Sequence, residues 1–295
     1  MKKMVIDEAF LGELEALQTI LKNNLAGSLG GNRRSKNLGS SCEFADHRDY
    51  VPGDDVTKID WNAYARFDKL YEKLYYDERQ MHTRIYIDSS RSMGHGADDE
   101  KAEQAIRIAA AFAYLSVSEM DKVSIYAVHG NQLDEVVAGM VGKDAYLNCI
   151  DRLNAIEFDG DAKISEAIVP SSVGYGDGFS IIISDFLTDD NFEDAIDRLC
   201  QQKRDVLCVQ ILSREELNPQ LRGRMHLFDS ESAGKFFRKK IDQDVVRAYK
   251  DALKYVTDRI RLYCESRGAA YMMTAAHEPV TEIFFGKLSD LEVTK

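Results

Sequence analysis

Apolar residues in this chain alternate between two spacings. Phe10, Leu14, Leu17, Leu21 and Leu25 recur at steps of three and four. That periodicity predicts an amphipathic helix over 7–25, with Asp7 as N-cap. Two-residue alternation predicts strands at 70–78, 84–88, 123–128 and 133–137, the last two joined at Gly130-Asn131 as a hairpin. Between them, Ala102, Ala105, Ile106, Ala109, Ala110, Phe112, Ala113 and Leu115 make a helix over 100–119 apolar on two sides, as a helix lying on a sheet must be. The series continues with a helix at 143–153, strand 179–184, helix 190–202, strand 205–212, helix 241–265, strand 269–274 and helix 279–289. Alternating strands and helices predict an α/β fold, a doubly wound, mainly parallel sheet with one antiparallel edge.

The first third reads differently. Residues 27–39 are glycine-rich and locally basic but lack the G-x-x-x-x-G-K-[ST] phosphate loop, so a flexible segment is expected, with anion or partner binding as the alternative. Pro52-Gly53 predicts a turn bonded by Asp54 and Asp55, and Asp60 caps a short helix from Trp61 to Arg66. Trp61, Tyr50 and Tyr64 are expected to anchor this loop as an aromatic cluster. Its carboxylates are expected to pair with Arg48 and Arg66 in a folded cap, with a metal or partner surface as the alternative. Two domains follow: 1–83, and 84–295 with a small inserted hairpin near 222–240.

Composition narrows the function. The chain has 295 residues, 44% hydrophobic and 30% charged, with a net charge of −12. That charge disfavours nucleic acid and anionic membrane surfaces as partners. No run approaches the roughly 20 apolar residues of a membrane span. Met1-Lys2-Lys3-Met4 precedes no signal core, so a cytoplasmic location is expected. Cys42, Cys149, Cys200, Cys208 and Cys264 are scattered and odd in number, against a disulfide framework. The histidines lack zinc-ligand spacing, and His95 reads as a solvated loop residue.

The candidate chemistry lies where strand 84–88 ends, at Asp88-Ser89-Ser90-Arg91-Ser92. A carboxylate and two hydroxyls on a turn suit a hard cation such as Mg²⁺. A capped strand-to-helix turn would use the same residues. Strand 179–184 also ends on a carboxylate, Asp185, and two adjacent strands would bring both acids to one sheet edge, where open α/β sheets bind ligands. A metal-dependent hydrolase is a lesser alternative, disfavoured because Ser90 stands where an aspartyl-phosphate enzyme needs a second Asp and neither serine has an evident base.

This architecture with Asp88-x-Ser90-x-Ser92 resembles the von Willebrand factor type A domain, whose motif forms a metal-ion-dependent adhesion site. Gly39, Glu43-Phe44, Arg48-Asp49-Tyr50, Pro52-Gly53-Asp54-Asp55, Ile59-Asp60-Trp61 and Ala65-Arg66 resemble the signature of the bacterial domain-of-unknown-function family fifty-eight, which carries this segment before such a core. Ser184-Asp185-Phe186, Arg214-Glu215-Glu216-Leu217 and Leu227-Phe228-Asp229-Ser230-Glu231 fit as well. The resemblance implies a metal site of Asp88, Ser90, Ser92 and Asp185, holding Mg²⁺ or, in its place, Mn²⁺ or Ca²⁺. The second-loop threonine falls on Ala162, leaving Asp161 or Asp159 to substitute and Lys163 to oppose a cation. It further implies a non-enzymatic adaptor working with a MoxR-type AAA+ ATPase on a client protein, a partner carboxylate completing the metal shell. A metal-free scaffold of the same fold is the alternative that Ala162 favours.

Overall fold

The computed structural model describes residues 5–28, 35–38, 44–77, 80–94, 100–171, 178–187, 191–220, 223–228 and 236–288. The chain forms two units: one runs from Ala16 to Gln80, and the other holds the chain before and after it. The expected boundary after residue 83 thus falls at 80, and the start of the first helix groups with the later chain. That helix, α1 (Glu8–Ser28), passes from one unit into the other. Asp7 caps it as expected, its Oδ1 accepting from the Phe10 amide at 2.9 Å. Leu14 and Leu17 are buried, whereas Leu21 and Leu25 lie outside the residues whose side chains are described.

The Ala16–Gln80 unit contains β1 (Ser35–Leu38), β2 (Phe44–Asp49), a 3-10 turn at Val56–Lys58, α2 (Trp61–Phe67) and β3 (Tyr71–Asp77). The strands form an antiparallel sheet in the order β1-β3-β2. Neither β1 nor β2 is foreshadowed by apolar alternation. Asp46, His47, Arg48 and Asp49 are all polar, and backbone pairing with β3 makes them a strand. Most of the basic run 27–39 lies outside the described residues.

In the other unit the chain runs β4 (His82–Asp88), α3 (Arg91–Gly94), α4 (Glu100–Ser118), β5 (Lys122–His129), β6 (Gln132–Met140), α5 (Lys143–Asn154), α6 (Ile164–Ile168), β7 (Phe179–Ser184), α7 (Phe192–Gln201), β8 (Asp205–Leu212), α8 (Arg214–Leu217), β9 (Gly223–Phe228), β10 (Phe236–Ile241), α9 (Gln243–Arg267), β11 (Ala270–Ala275) and α10 (Val280–Glu282). A π-helical turn at Ile283–Leu288 replaces the second half of the expected last helix. Gly286 there weakens an α-helix by its backbone entropy. The hairpin expected near 222–240 is β9 paired antiparallel with β10.

The main sheet has the order β11-β8-β7-β4-β5-β6, with β5–β6 the antiparallel pair at one edge and the other pairs parallel. It is the expected mainly parallel α/β sheet. One face packs Tyr86, Val128, Ile182 and Cys208 against Ile164, Ile196, Leu199 and Ile260 from α6, α7 and α9. The two-sided helix α4 packs against β4, β5, β7 and β8, with Phe112 near Phe179 and Phe284 at ring distances of 6.2 and 4.7 Å. The chain enters the sheet at β4, steps to β5 on one side and later to β7 on the other. The β4–β7 border is therefore the topological switch point, the place where open α/β sheets bind ligands.

Candidate functional site

Ile87 lies in register with Ile183. The two strands consequently end side by side, and Asp88 and Ser184 meet. Asp88 is 2% exposed. Its Oδ1 accepts from the Ser90 amide at 2.9 Å and its Oδ2 from the Ser184 hydroxyl. The first contact is an Asx turn, which swings the chain from β4 into α3. The turn leaves Ser90 Oγ and Ser92 Oγ 2.9 Å apart. Burial, and secondarily the charge of Asp185, push the Asp88 carboxyl up to about 6.

Two flanking loops fix this turn. The Ser89 amide and hydroxyl both donate to the Val128 carbonyl of β5. Asp159 donates its amide to the Ser89 carbonyl at 3.0 Å, and Arg91 donates its amide to the Gly160 carbonyl at 2.9 Å. Arg91 Nε also bonds Asp159 Oδ1 at 2.8 Å, so Asp159 is committed to a guanidinium. The Asp161 backbone pairs with Gly130 and its side chain is exposed. Ala162 is 4% exposed and packs with Tyr86 and Val128 in the core. Position 162 thus offers a buried methyl where the family resemblance expects a hydroxyl. Lys163 points elsewhere, its Nζ 2.9 Å from Glu166. Its expected opposition to a cation has no counterpart in that pairing.

Opposition comes instead from a residue the sequence reading did not single out. Lys101, on the first turn of α4, is 4% exposed. Its Nζ donates to Asp185 Oδ2 at 2.8 Å and to Glu216 Oε1 at 2.7 Å. Burial lowers the affinity of this amine for its proton, but Asp185 and Glu216 outweigh burial and hold it above the usual lysine range. Asp185 Oδ1 is also engaged, accepting from the Leu187 amide at 2.9 Å. Glu216 is held by a capping box, its Oε2 accepting from the Ser213 amide at 2.7 Å while its own amide donates to Ser213 Oγ. Lys101 therefore ties the start of α4 to the end of β7 and to α8.

The arrangement fits a divalent ion poorly. An ion on Asp185 Oδ2 would sit at about 2.1 Å from that oxygen, within about 5 Å of the ammonium already bound there. Repulsion between the two charges is on the order of 7 kcal/mol at an effective dielectric constant of about 20. Of the expected ligands, Asp88, Ser90 and Ser92 gather at one turn, and both Asp88 oxygens already accept hydrogen bonds. Among the described residues, three or more His, Cys, Asp or Glu groups never gather closely enough to hold a metal.

The Ala16–Gln80 unit carries a second constellation. Asp60 Oδ1 accepts from the Asn62 and Ala63 amides at 2.9 and 3.2 Å, and its Oδ2 contacts His47 Nε2 at 2.8 Å. Bonds to His47 first, and to these amides, keep the Asp60 carboxyl below its ordinary range despite the opposing effect of desolvation. Arg48 Nη2 bridges Asp54 at 2.9 Å and Glu72 at 2.6 Å. Arg48 thus pairs with the loop carboxylate Asp54 as expected, and among the described residues no ion pair includes Arg66. The aromatic anchor is not formed as expected. Trp61 and Tyr64 meet edge to face at 6.3 Å, yet both are exposed.

Among solved structures, the chain is similar to an aerotolerance-related membrane protein from Bacteroides fragilis at 12% identity, covering 73% of this chain and 100% of that one, with a TM-score of 0.38. It is similar to the SpRpn10 VWA domain at 10% identity, covering 74% and 96%, with a TM-score of 0.37. No helix among the described residues is long and apolar enough to cross a membrane. Uncharacterized proteins of Mycobacterium tuberculosis and Mycobacterium bovis are 26% identical over 230 residues, 77% of this chain and 72% of theirs. Residues 46–257, most of the chain, match the family described as "Protein of unknown function DUF58", and the chain belongs to that family.

Proposed function

We propose that this chain is a non-enzymatic protein-interaction adaptor of the cytoplasm, working without a bound metal. Its partner in this reading is a MoxR-type AAA+ ATPase, and the pair acts in maturation or assembly of a client protein. One observation carries the interaction role. Helix α2 presents Trp61, Tyr64 and Phe67 at three-residue steps, 61%, 41% and 66% exposed. Aromatic residues are enriched at protein interfaces. The helix is short, but its cap Asp60 is fixed by His47 of β2 and by the Tyr71 carbonyl of β3. Such an aromatic face on a fixed helix serves recognition better than stability.

Trp61 is the only tryptophan in the chain, so its fluorescence reports on this helix alone. Adding the purified ATPase with nucleotide should shift Trp61 emission to shorter wavelength, and Phe67→Ala should weaken that response. Unchanged emission at saturating ATPase would remove the support for this reading.

A second reading keeps the metal. The contact between Ser90 Oγ and Ser92 Oγ beside Asp88 favours it. There, Asp88, Ser90, Ser92, Asp185 and Asp161 would hold Mg²⁺, which would supply an electrophile for a partner carboxylate. This reading requires Lys101 to leave Asp185.

A further inference from the structure

We infer that Lys101 is this chain's own substitute for a metal ion: its ammonium supplies the positive charge at the shared end of β4 and β7, so the native site takes no divalent cation. The inference rests on the metal-free part of the proposed function and explains it; it does not depend on which partner α2 meets.

Three observations converge on it. First, the position is an unfavourable one for lysine. Residues 102, 105, 106, 108 and 109 around it on α4 are buried apolar side chains. A lysine among them loses its hydration and stays charged only where anions face it. Second, the anions do face it, from two different elements. Asp185 is at the end of β7 with a side chain 2% exposed, and Glu216 is on α8 with a side chain 22% exposed. Third, Ala162 presents a buried methyl at the second-loop position where an ion would need oxygen. The methyl at 162 and the ammonium at Asp185 act in the same direction: fewer oxygens for an ion, and a cation already in place.

This arrangement predicts an unusual gain of function. Removing the ammonium leaves Asp185 and Glu216 without their cation, while Ser90 and Ser92 keep their hydroxyls beside Asp88. That oxygen-rich set suits Mg²⁺ or Mn²⁺. Lys101→Met keeps the stem volume and deletes the charge. Thermal melts and Mn²⁺ electron paramagnetic resonance read both proteins. The wild type should melt at the same temperature with and without millimolar Mg²⁺ or Mn²⁺, and should leave the free-Mn²⁺ signal intact. K101M should melt lower without metal, recover with millimolar Mn²⁺ and bind it stoichiometrically. Adding Ser90→Ala to K101M should abolish that recovery.

Stoichiometric Mn²⁺ binding by the wild type would overturn the inference. So would a K101M protein as stable as the wild type without metal. Should K101M not fold, the wild-type measurement decides alone. The Trp61 response to the ATPase is read separately, so failure of the adaptor reading and failure of this one are distinguishable.

Discussion

Breaking the Lys101–Asp185 pair from either side, and then from both, tests how the strand ends are held together. Their side chains are 4% and 2% exposed, and the charged atoms lie 2.8 Å apart. Removing one partner of such a pair strands a buried charge, at a cost of about 3–5 kcal/mol. Asp185→Asn leaves Lys101 with Glu216, so the lower end, about 3 kcal/mol, is expected. Lys101→Met leaves Asp185 buried beside Asp88, which places it nearer the upper end. The double variant K101M/D185N removes both charges together. It should be no less stable than the worse single variant, giving a coupling energy of about 3 kcal/mol. For a domain of this size each kcal/mol moves Tm by about 2–4 °C, so each single variant should melt at least about 6 °C lower. Urea unfolding followed by far-UV circular dichroism is the suitable assay, because Trp61 belongs to the other unit and does not report on the sheet. Single losses below about 1 kcal/mol that simply add in the double variant would refute the reasoning.

Asn154 Oδ1 accepts from both the Val5 and Ile6 amides at 3.0 Å. Asn154→Ala should therefore cost about 1–3 kcal/mol and speed hydrogen exchange at those two amides; unchanged exchange would contradict the contact. Burial, with Arg84, Lys122 and Arg204 nearby, lowers the His82 imidazole to about 4. The unfolded chain then binds the extra proton between about pH 6.5 and 4, so stability falls as pH drops through that window. Partial exposure reduces the effect to about 1–2 kcal/mol, and the pH dependence of the urea midpoint should flatten in His82→Gln. Asp60→Ala removes the α2 cap and should cost about 1 kcal/mol, with faster exchange at the Asn62 and Ala63 amides; equal protection in both proteins would argue against the cap.

Much of the main sheet was legible because its signals are local. Ile181, Ile182 and Ile183 form an apolar run closed by Ser184-Asp185, and the α4 pattern demands two buried sides. Two strands ending in carboxylates at one edge followed from parallel order alone. Asp60 was readable as a cap because capping depends on the next three residues. Lys101 was not found, because it reads as the tail of the acidic run Asp98-Asp99-Glu100. The available signal was its phase: Lys101 shares the stripe of Ala105 and Ile108, where a charge needs a partner. Ser213-x-x-Glu216 announces a capping box, yet the other oxygen of Glu216 reaches Lys101 only because β8 lies next to β7. Trp61 and Tyr64 were expected inside a cluster on grounds of size, and nothing local indicates that they stay exposed.

A crystal structure grown in abundant magnesium tests the resident-cation account most directly. It should show Lys101 Nζ between Asp185 and Glu216, with no density for an ion over Ser90 and Ser92. A six-coordinate ion on those hydroxyls, with Lys101 turned away from Asp185, would contradict it.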